Sequence, residues 1–313
     1  MRLRGLLATI GAVTASAACG LEVFGTLEPG ATADDGGPET GASLPDRSVD
    51  PTDAGETPAD ASDAADASDA DYVLLCNQTC PDAGGTCSDA GTCAVDCKGS
   101  NECRTAIVRC PPGIPCEVTC GGSSCDKGID CNQAASCDID CKGANSCMTG
   151  PVTCSGDTCK IKCAGGSCLA GVFCDAGSCA VDCNGANSCT GAVGCDAKRC
   201  AIECAGGSCI GGIACRAKDH CAVDCLGANS CTGTVSLQGT TAYANCQAGG
   251  SCTLGVSMTA GDGGIRCFNS NTCGPFLYFD GGRGAFDCND SCKYCCADAS
   301  VCTGANNAVG TCL

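Results

Sequence analysis

Cysteine is the residue type in this sequence with the greatest capacity for chemistry. The chain has 313 residues, of which 41 are cysteines. Thiols at this density either bond to one another as disulfides or bind soft metal ions. Neighbouring cysteines are mostly four to six positions apart, unlike the Cys-x2-Cys pairs of zinc sites. We therefore predict disulfides, with no metal site and no cofactor, and keep metal clusters as the alternative.

Histidine, the side chain most often used in acid–base catalysis, is scarce. His220 is the only histidine and lies in the segment AKDH, directly before Cys221. One histidine without a fixed partner does not support a catalytic triad or a zinc-dependent reaction. We interpret His220 as an exposed turn residue and predict that the protein is not an enzyme.

The cysteines repeat in pairs with a period of about 21 residues. One pair occurs eleven times, with first members 20 to 23 residues apart: 76/80, 97/103, 120/125, 141/147, 163/168, 183/189, 204/209, 225/231, 246/252, 267/273 and 288/292. A second pair occurs seven times between them: 87/93, 110/116, 131/137, 154/159, 174/179, 195/200 and 215/221. The turns alternate between GANS and AGGS, which indicates a duplicated two-coil unit. So steady a period predicts a solenoid.

Within one copy, inward and outward residues alternate. Cys179, Val181 and Cys183 alternate with Ala180 and Asp182, which places the first three on one face of a strand. The segments NGANS and DAKR have the composition of turns. We predict an all-β fold: a parallel β-solenoid of about 11 coils, with two short strand faces per coil and disulfide-stapled turns.

Two disulfide arrangements fit such a solenoid. Bonds within a coil can join cysteines that flank a turn, and bonds between coils can join equivalent positions about 4.8 Å apart, so distance does not distinguish them. In three later copies both members of the second pair are replaced together: Leu237 and Ala242, Met258 and Gly263, Phe279 and Gly284. Because joint loss leaves no orphan thiol, we predict bonds within coils, here listed as successive pairs: Cys97 and Cys103, Cys141 and Cys147, Cys163 and Cys168, Cys174 and Cys179, Cys183 and Cys189, Cys195 and Cys200, Cys204 and Cys209, Cys215 and Cys221, Cys225 and Cys231.

The first residues, 1–18, have the composition of an export signal. Arg2 and Arg4 precede an apolar stretch that ends in small residues and is too short to span a membrane. Residues 19–71 form an acidic linker with too few apolar side chains to fold. The cysteine-rich solenoid occupies residues 72–292. The tail, 293–313, departs from the repeat, as a C-terminal cap would.

The segment Ser16-Ala17-Ala18-Cys19 resembles the lipobox of bacterial lipoproteins. In that family the cysteine receives a diacylglyceryl group and becomes the first residue, so the resemblance implies lipidation of Cys19. Gly20 implies, by the same analogy, the outer membrane. Ordinary signal cleavage with full secretion is the alternative.

Two rows of outward residues are candidate binding surfaces. The first row consists of Asp96, Thr119, Asp140, Lys162, Asp182, Glu203, Asp224, Asn245, Arg266 and Asp287. Stacked carboxylates can bind Ca²⁺. Because basic residues interrupt this row, we interpret it as a solvated face. The second row faintly resembles the threonine arrays of disulfide-stapled insect antifreeze solenoids: Thr190, Thr232, Thr234 and Thr253. The sequence has no basic stripe, which argues against nucleic acid as a partner.

The export signal, acidic linker and repeats together resemble those of uncharacterised bacterial secreted cysteine-rich repeat lipoproteins. The resemblance implies a layout but no activity. We expect a non-enzymatic structural or adhesive surface lipoprotein, with the membrane and an extracellular glycan or protein as partners. A glycan-binding or carbohydrate-active β-helix is the alternative. The least stapled and most aromatic coils, 231–288, are the expected contact surface: Tyr243, Phe268, Phe276, Tyr278, Phe279 and Phe286.

Overall fold

The computed structural model describes residues 75–268, 272–274, 277–288, 294–296 and 302–304, with side chains described up to residue 286. Cys19, the expected export signal and the linker lie outside the described residues. The expected bond between Cys288 and Cys292 lies outside the described side chains.

The regular secondary structure of the described residues is almost entirely β-strand. A helical turn at residues 75–79 and a 3₁₀ helix at Pro81–Ala83 precede them. The short strands come first: β1 Thr86–Cys87, β2 Cys93–Cys97, β3 Val108–Arg109, β4 Pro115–Cys120, β5 Ile129–Cys131 and β6 Ser136–Cys141. Long strands follow: β7 Val152–Cys163, β8 Val172–Cys183, β9 Val193–Cys204, β10 Ile213–Cys225, β11 Val235–Cys246, β12 Val256–Cys267 and β13 Leu277–Cys288. The last two are β14 Tyr294–Cys296 and β15 Cys302–Gly304.

The strands stack in parallel into one ladder. Strands β2, β4, β6 and then β7 to β13 follow one another in that order, each hydrogen-bonded to the next. Equivalent positions of the repeat are paired, as Cys179 is with Cys200 and Cys200 with Cys221. The predicted parallel β-solenoid with a period of about 21 residues is confirmed, with about nine turns instead of eleven.

The coil count differs in part because the first cysteine pair belongs to a cap. Cys76 and Cys80 are one helical turn apart, joined by a backbone hydrogen bond of 2.9 Å. Cys76 bonds to Cys87 and Cys80 bonds to Cys93, so the predicted pairs 76/80 and 87/93 are wrong. The helical turn directs both thiols against β1 and β2, which pair antiparallel with each other. This segment closes the first end of the ladder.

Each long strand bends sharply in the middle while it keeps its pairing to neighbouring coils. The Cα atoms of Cys195 and Cys200 are 6.2 Å apart, whereas five extended residues would span about 16 Å. The segment DAKR, predicted as a separate turn, is therefore a corner inside the continuous strand β9, where the register to β10 shifts. We call the residues before this bend the first arm and those after it the second arm.

The interior is narrow and is filled by sulfur and by one apolar column on each arm. The column of the first arm contains Val152, Val172, Val193, Ile213, Val235, Val256 and Leu277. The column of the second arm contains Val95, Val118, Ile139, Ile161, Val181, Ile202, Val223, Ala244, Ile265 and Phe286. All of these residues are buried, so the inward positions predicted from the alternation form the core.

At the C-terminal end, most of the predicted cap, 293–313, lies outside the described residues. Its described strands continue the ladder, since β14 pairs in parallel with the first arm of β13 and β15 with the second arm.

Candidate functional site

The predicted cysteines are joined across the corners of the coils. All nine pairs named for the predicted bonds are disulfides in the structure. Six further corner pairs are bonded as well: 110/116, 120/125, 131/137, 154/159, 246/252 and 267/273. With the two cap bonds, the described residues hold 17 disulfides. At least one disulfide therefore joins the two sides of a corner in each coil.

The GANS turns and most of the AGGS turns differ in length, but all of them share one left-handed position. In the longer turns an asparagine adopts it, with φ from 56° to 67°: Asn101, Asn145, Asn187 and Asn229. Glycine adopts it, with φ from 67° to 78°, at Gly166 and Gly207 in shorter turns and at Gly250 in the Cys246–Cys252 turn, which contains AGGS but has the longer spacing. Glycine and asparagine are the residues that tolerate this conformation best. The alternation seen in the sequence thus reflects two ways of making the same corner.

A buried serine stabilises these corners except the one between Cys97 and Cys103, where Glu102 occupies the equivalent position. Its hydroxyl donates to the carbonyl oxygen three residues earlier, over 2.5–2.8 Å: Ser124, Ser146, Ser167, Ser188, Ser208, Ser230 and Ser251. All seven serines are fully buried. The backbone carbonyl of a corner serine also accepts from a cysteine N–H of the next coil, as in Cys189 N–H to Ser167 O at 3.0 Å. This role was not predicted from the sequence, although a serine directly before the second cysteine recurs in the repeat.

Three coils carry apolar substitutes for the second disulfide. In the next three coils, the register position of Cys215 is occupied by Leu237, Met258 and Phe279. The register position of Cys221 is occupied by Ala242, Gly263 and Gly284. All three large side chains are fully buried. The large-plus-small replacement predicted from the sequence therefore fills the interior at these levels.

Sulfur atoms of neighbouring coils come close enough to resemble metal sites. Three sulfurs lie within 4.8 Å of one another in four places: 110/116/131, 120/125/147, 141/147/168 and 225/246/252. Every one of these cysteines is disulfide-bonded. Because a metal ligand must be a free thiolate, these clusters are stacked disulfides and could hold a metal only after reduction.

The predicted row of polar residues is a continuous column on the second arm. Its members pair in register from Asp96 through Asp182, Glu203 and Asp224 to Asp287. Near the N-terminal end, lysines balance two of the acids: Lys98 Nζ lies 2.5 Å from Asp96, and Lys142 Nζ lies 3.1 Å from Asp140. These ion pairs lie at the surface, so they contribute little to stability.

His220 is not an exposed turn residue, so this interpretation is corrected. It lies in β10 and is partly buried. Its Nδ1 is 2.9 Å from Oγ1 of Thr241 in the next coil, and its ring lies 5.8 Å from that of Tyr243. These contacts give it a structural role between two coils.

The threonine row does not form a regular exposed array. Thr190 donates to the carbonyl of Leu169, and Thr253 donates to that of Thr232, 3.1 Å away. Both threonines, like Thr232, are partly buried, and only Thr234 is exposed. The hydroxyls of Thr190 and Thr253 therefore serve contacts between coils.

The aromatic residues of the expected contact surface do not lie together. Phe279 and Phe286 are buried and meet edge to face, with ring centroids 6.3 Å apart. Tyr278 is exposed on the first arm and Tyr243 on the second. Phe276 lies outside the described residues.

A groove along the first arm was not predicted from the sequence. A cavity of about 260 Å³ lies beside Phe173, and one of about 740 Å³ extends from the corner of β9 to that of β13. Both cavities are lined by Asp196 and Arg216, so they form one surface feature, which we call the outer groove. Aligning Phe173 with its equivalents in later coils would have been the signal for it.

Comparison with protein-family models, curated proteins and solved structures finds no match to this chain. In the part of the chain that the structure describes, no helix has the length and apolar character needed to cross a bilayer. Seventeen disulfides are characteristic of proteins in an oxidising environment outside the cytoplasm.

Proposed function

We propose that this protein is a non-enzymatic structural or adhesive protein of the cell surface. The stapling of nearly every coil corner carries this proposal. Each disulfide limits the unfolded chain, and the loop-entropy model assigns about 2 kcal/mol to a loop as short as these. A narrow rod with this many disulfides suits a component that must keep its shape outside the cell.

The rod is attached to the outer membrane through a lipid on Cys19, and residues 20–71 act as its tether. The lipobox-like segment and the acidic, apolar-poor composition of the linker support this arrangement. A flexible chain of this length has a root-mean-square span of about 40 Å, enough to hold the rod away from the lipid headgroups.

The first test of the scaffold is the intact mass of the exported protein without reduction, before and after alkylation. We expect no alkylated cysteine among residues 76–273. Overnight dialysis against a chelator should leave the melting temperature unchanged. Alkylated cysteines in the folded protein, or a bound soft metal whose removal unfolds it, would replace the scaffold proposal with a metal-binding one.

Attachment is tested separately by Cys19→Ser in the producing cell. The wild-type protein should be found in the outer-membrane fraction with an acylated N-terminus, and the variant should not carry the lipid. Leu21→Ala serves as the neighbouring control and should keep the lipid. An unlipidated wild-type protein in the medium would favour full secretion.

The outer groove favours glycan binding as the means of adhesion. It is the specific observation that supports glycan binding as the second candidate function.

A further inference from the structure

An outward column of the first arm runs beside the outer groove and has an aromatic residue at each end: Phe173 lines the groove, and Tyr278 lies two residues before Asp280, which also lines it. Phe173, Gly194, Ala214, Ser236, Ser257 and Tyr278 are paired in register from β8 to β13. Phe173 is 45% exposed and Tyr278 is 37% exposed. Five strand spacings separate them, which is about 24 Å.

The side chains between the two aromatic residues are small, which leaves the rings uncovered. A Cβ atom on Gly194 would lie only 3.1 Å from Cδ1 of Phe173, so glycine makes room for this ring on the neighbouring coil. An exposed aromatic ring offers an apolar face with few conformations to lose on binding. Such a ring suits the apolar face of a sugar.

A second outward column, two residues further along each strand, supplies polar groups beside the rings. It consists of Asp175, Asp196, Arg216, Gln238, Thr259 and Asp280, all exposed. Asp196 and Arg216 are paired in register, yet their charged groups form no ion pair within 4 Å among the described residues. The carboxylates accept hydrogen bonds and the guanidinium and amide donate them, which matches the mixed needs of sugar hydroxyls.

Charge and shape narrow the ligand class. The three aspartates of this column outnumber Arg216 and the nearby Lys218. An acidic polymer would therefore be repelled. Because the polar groups recur at every coil along the axis, the groove suits an extended ligand that offers hydroxyls at a similar repeat.

We propose that the outer groove binds a linear, neutral glycan that lies along the solenoid axis, with sugar rings stacked on Phe173 and Tyr278. This inference rests on the proposed adhesive function and names the ligand class for it. Pockets with an aromatic platform and a few convergent polar groups are the usual form of small-ligand sites.

The test is calorimetric titration of the full-length exported protein with cellohexaose, mannohexaose and chitohexaose, and with the corresponding disaccharides. At least one hexasaccharide should bind, and more tightly than its disaccharide, because only the longer chain reaches several coils. Phe173→Ala and Tyr278→Ala should each weaken that binding about tenfold, as the loss of one aromatic contact implies. Asp196→Asn combined with Arg216→Gln should weaken it further.

Tyr243→Ala is the matched control, since Tyr243 is also 37% exposed but lies on the second arm. It should leave the affinity unchanged, and all variants should keep the wild-type circular dichroism spectrum. Absence of binding to all three hexasaccharides, tighter binding of hexagalacturonate, or equal losses in Tyr243→Ala and Tyr278→Ala would overturn the inference. Intact disulfides and membrane attachment alongside such a result would leave the scaffold proposal standing.

Discussion

The ring of Phe279 packs over Gly284, at the two positions that a disulfide joins in earlier coils. A Cβ atom on Gly284 would lie 2.8 Å from Cδ1 of this ring, so the small partner is required by the large one. Met258 and Gly263 have the same relationship, with the Met258 sulfur 2.8 Å from the position of a Cβ on Gly263. At these two positions of the coil, a disulfide can thus be exchanged for a large apolar side chain packed over a small residue.

This equivalence predicts that a new disulfide can be built into β11. In the variant Leu237→Cys with Ala242→Cys, the two cysteines take the positions of Cys215 and Cys221 one coil earlier. We expect the bond to form on export and to contribute about 2 kcal/mol of unfolding free energy in the loop-entropy model. Thiol titration and calorimetric melting should show no free thiol and a higher melting temperature than the matched variant Leu237→Ser with Ala242→Ser. Two free thiols in the folded double-cysteine variant would contradict the equivalence.

The shared left-handed position predicts an unequal response to two substitutions at Asn187. Its φ is 60°, and the equivalent Gly207 has φ 67°. Asn187→Gly should leave the unfolding free energy nearly unchanged, whereas Asn187→Ala should lower it by roughly 1–2 kcal/mol, because alanine keeps the Cβ that strains this conformation but lacks the polar side chain with which asparagine offsets that strain. Guanidinium denaturation of the oxidised protein measures both values.

Gly207 provides the reciprocal control for this prediction. Gly207→Asn should be tolerated better than Gly207→Ala, since asparagine occupies the same position in the neighbouring coils. Equal losses for alanine and glycine at Asn187 would show that the asparagine side chain, and not its backbone conformation, stabilises the corner.

Accessibility predicts the order in which reductant opens the disulfides. Cys103 is exposed, whereas Cys183 and Cys189 are fully buried. Because thiol–disulfide exchange requires access to a sulfur, the Cys97–Cys103 bond should be reduced first. Brief treatment with reductant, alkylation and peptide mapping should find label at these two residues while Cys183 and Cys189 remain unlabelled. Simultaneous labelling of both pairs would instead indicate that reduction occurs through global unfolding.

The sequence by itself determined the solenoid and most of its disulfides. The steady spacing of cysteine pairs, the alternation around Val181 and the joint loss of Cys195 and Cys200 equivalents all depend on local geometry, so they can be deduced without coordinates. A bond across a corner joins residues five or six apart, and such contacts are visible in the order of residues.

Only the tertiary structure decided features that depend on how coils meet. It paired Cys76 with Cys87 and Cys80 with Cys93, because a helical turn, not a strand, precedes the first coil. It placed His220 against Thr241 of the next coil. It also brought Phe173 and Tyr278 into one column although 105 positions separate them, since the register of six stacked strands, and not proximity along the chain, sets which side chains share a surface.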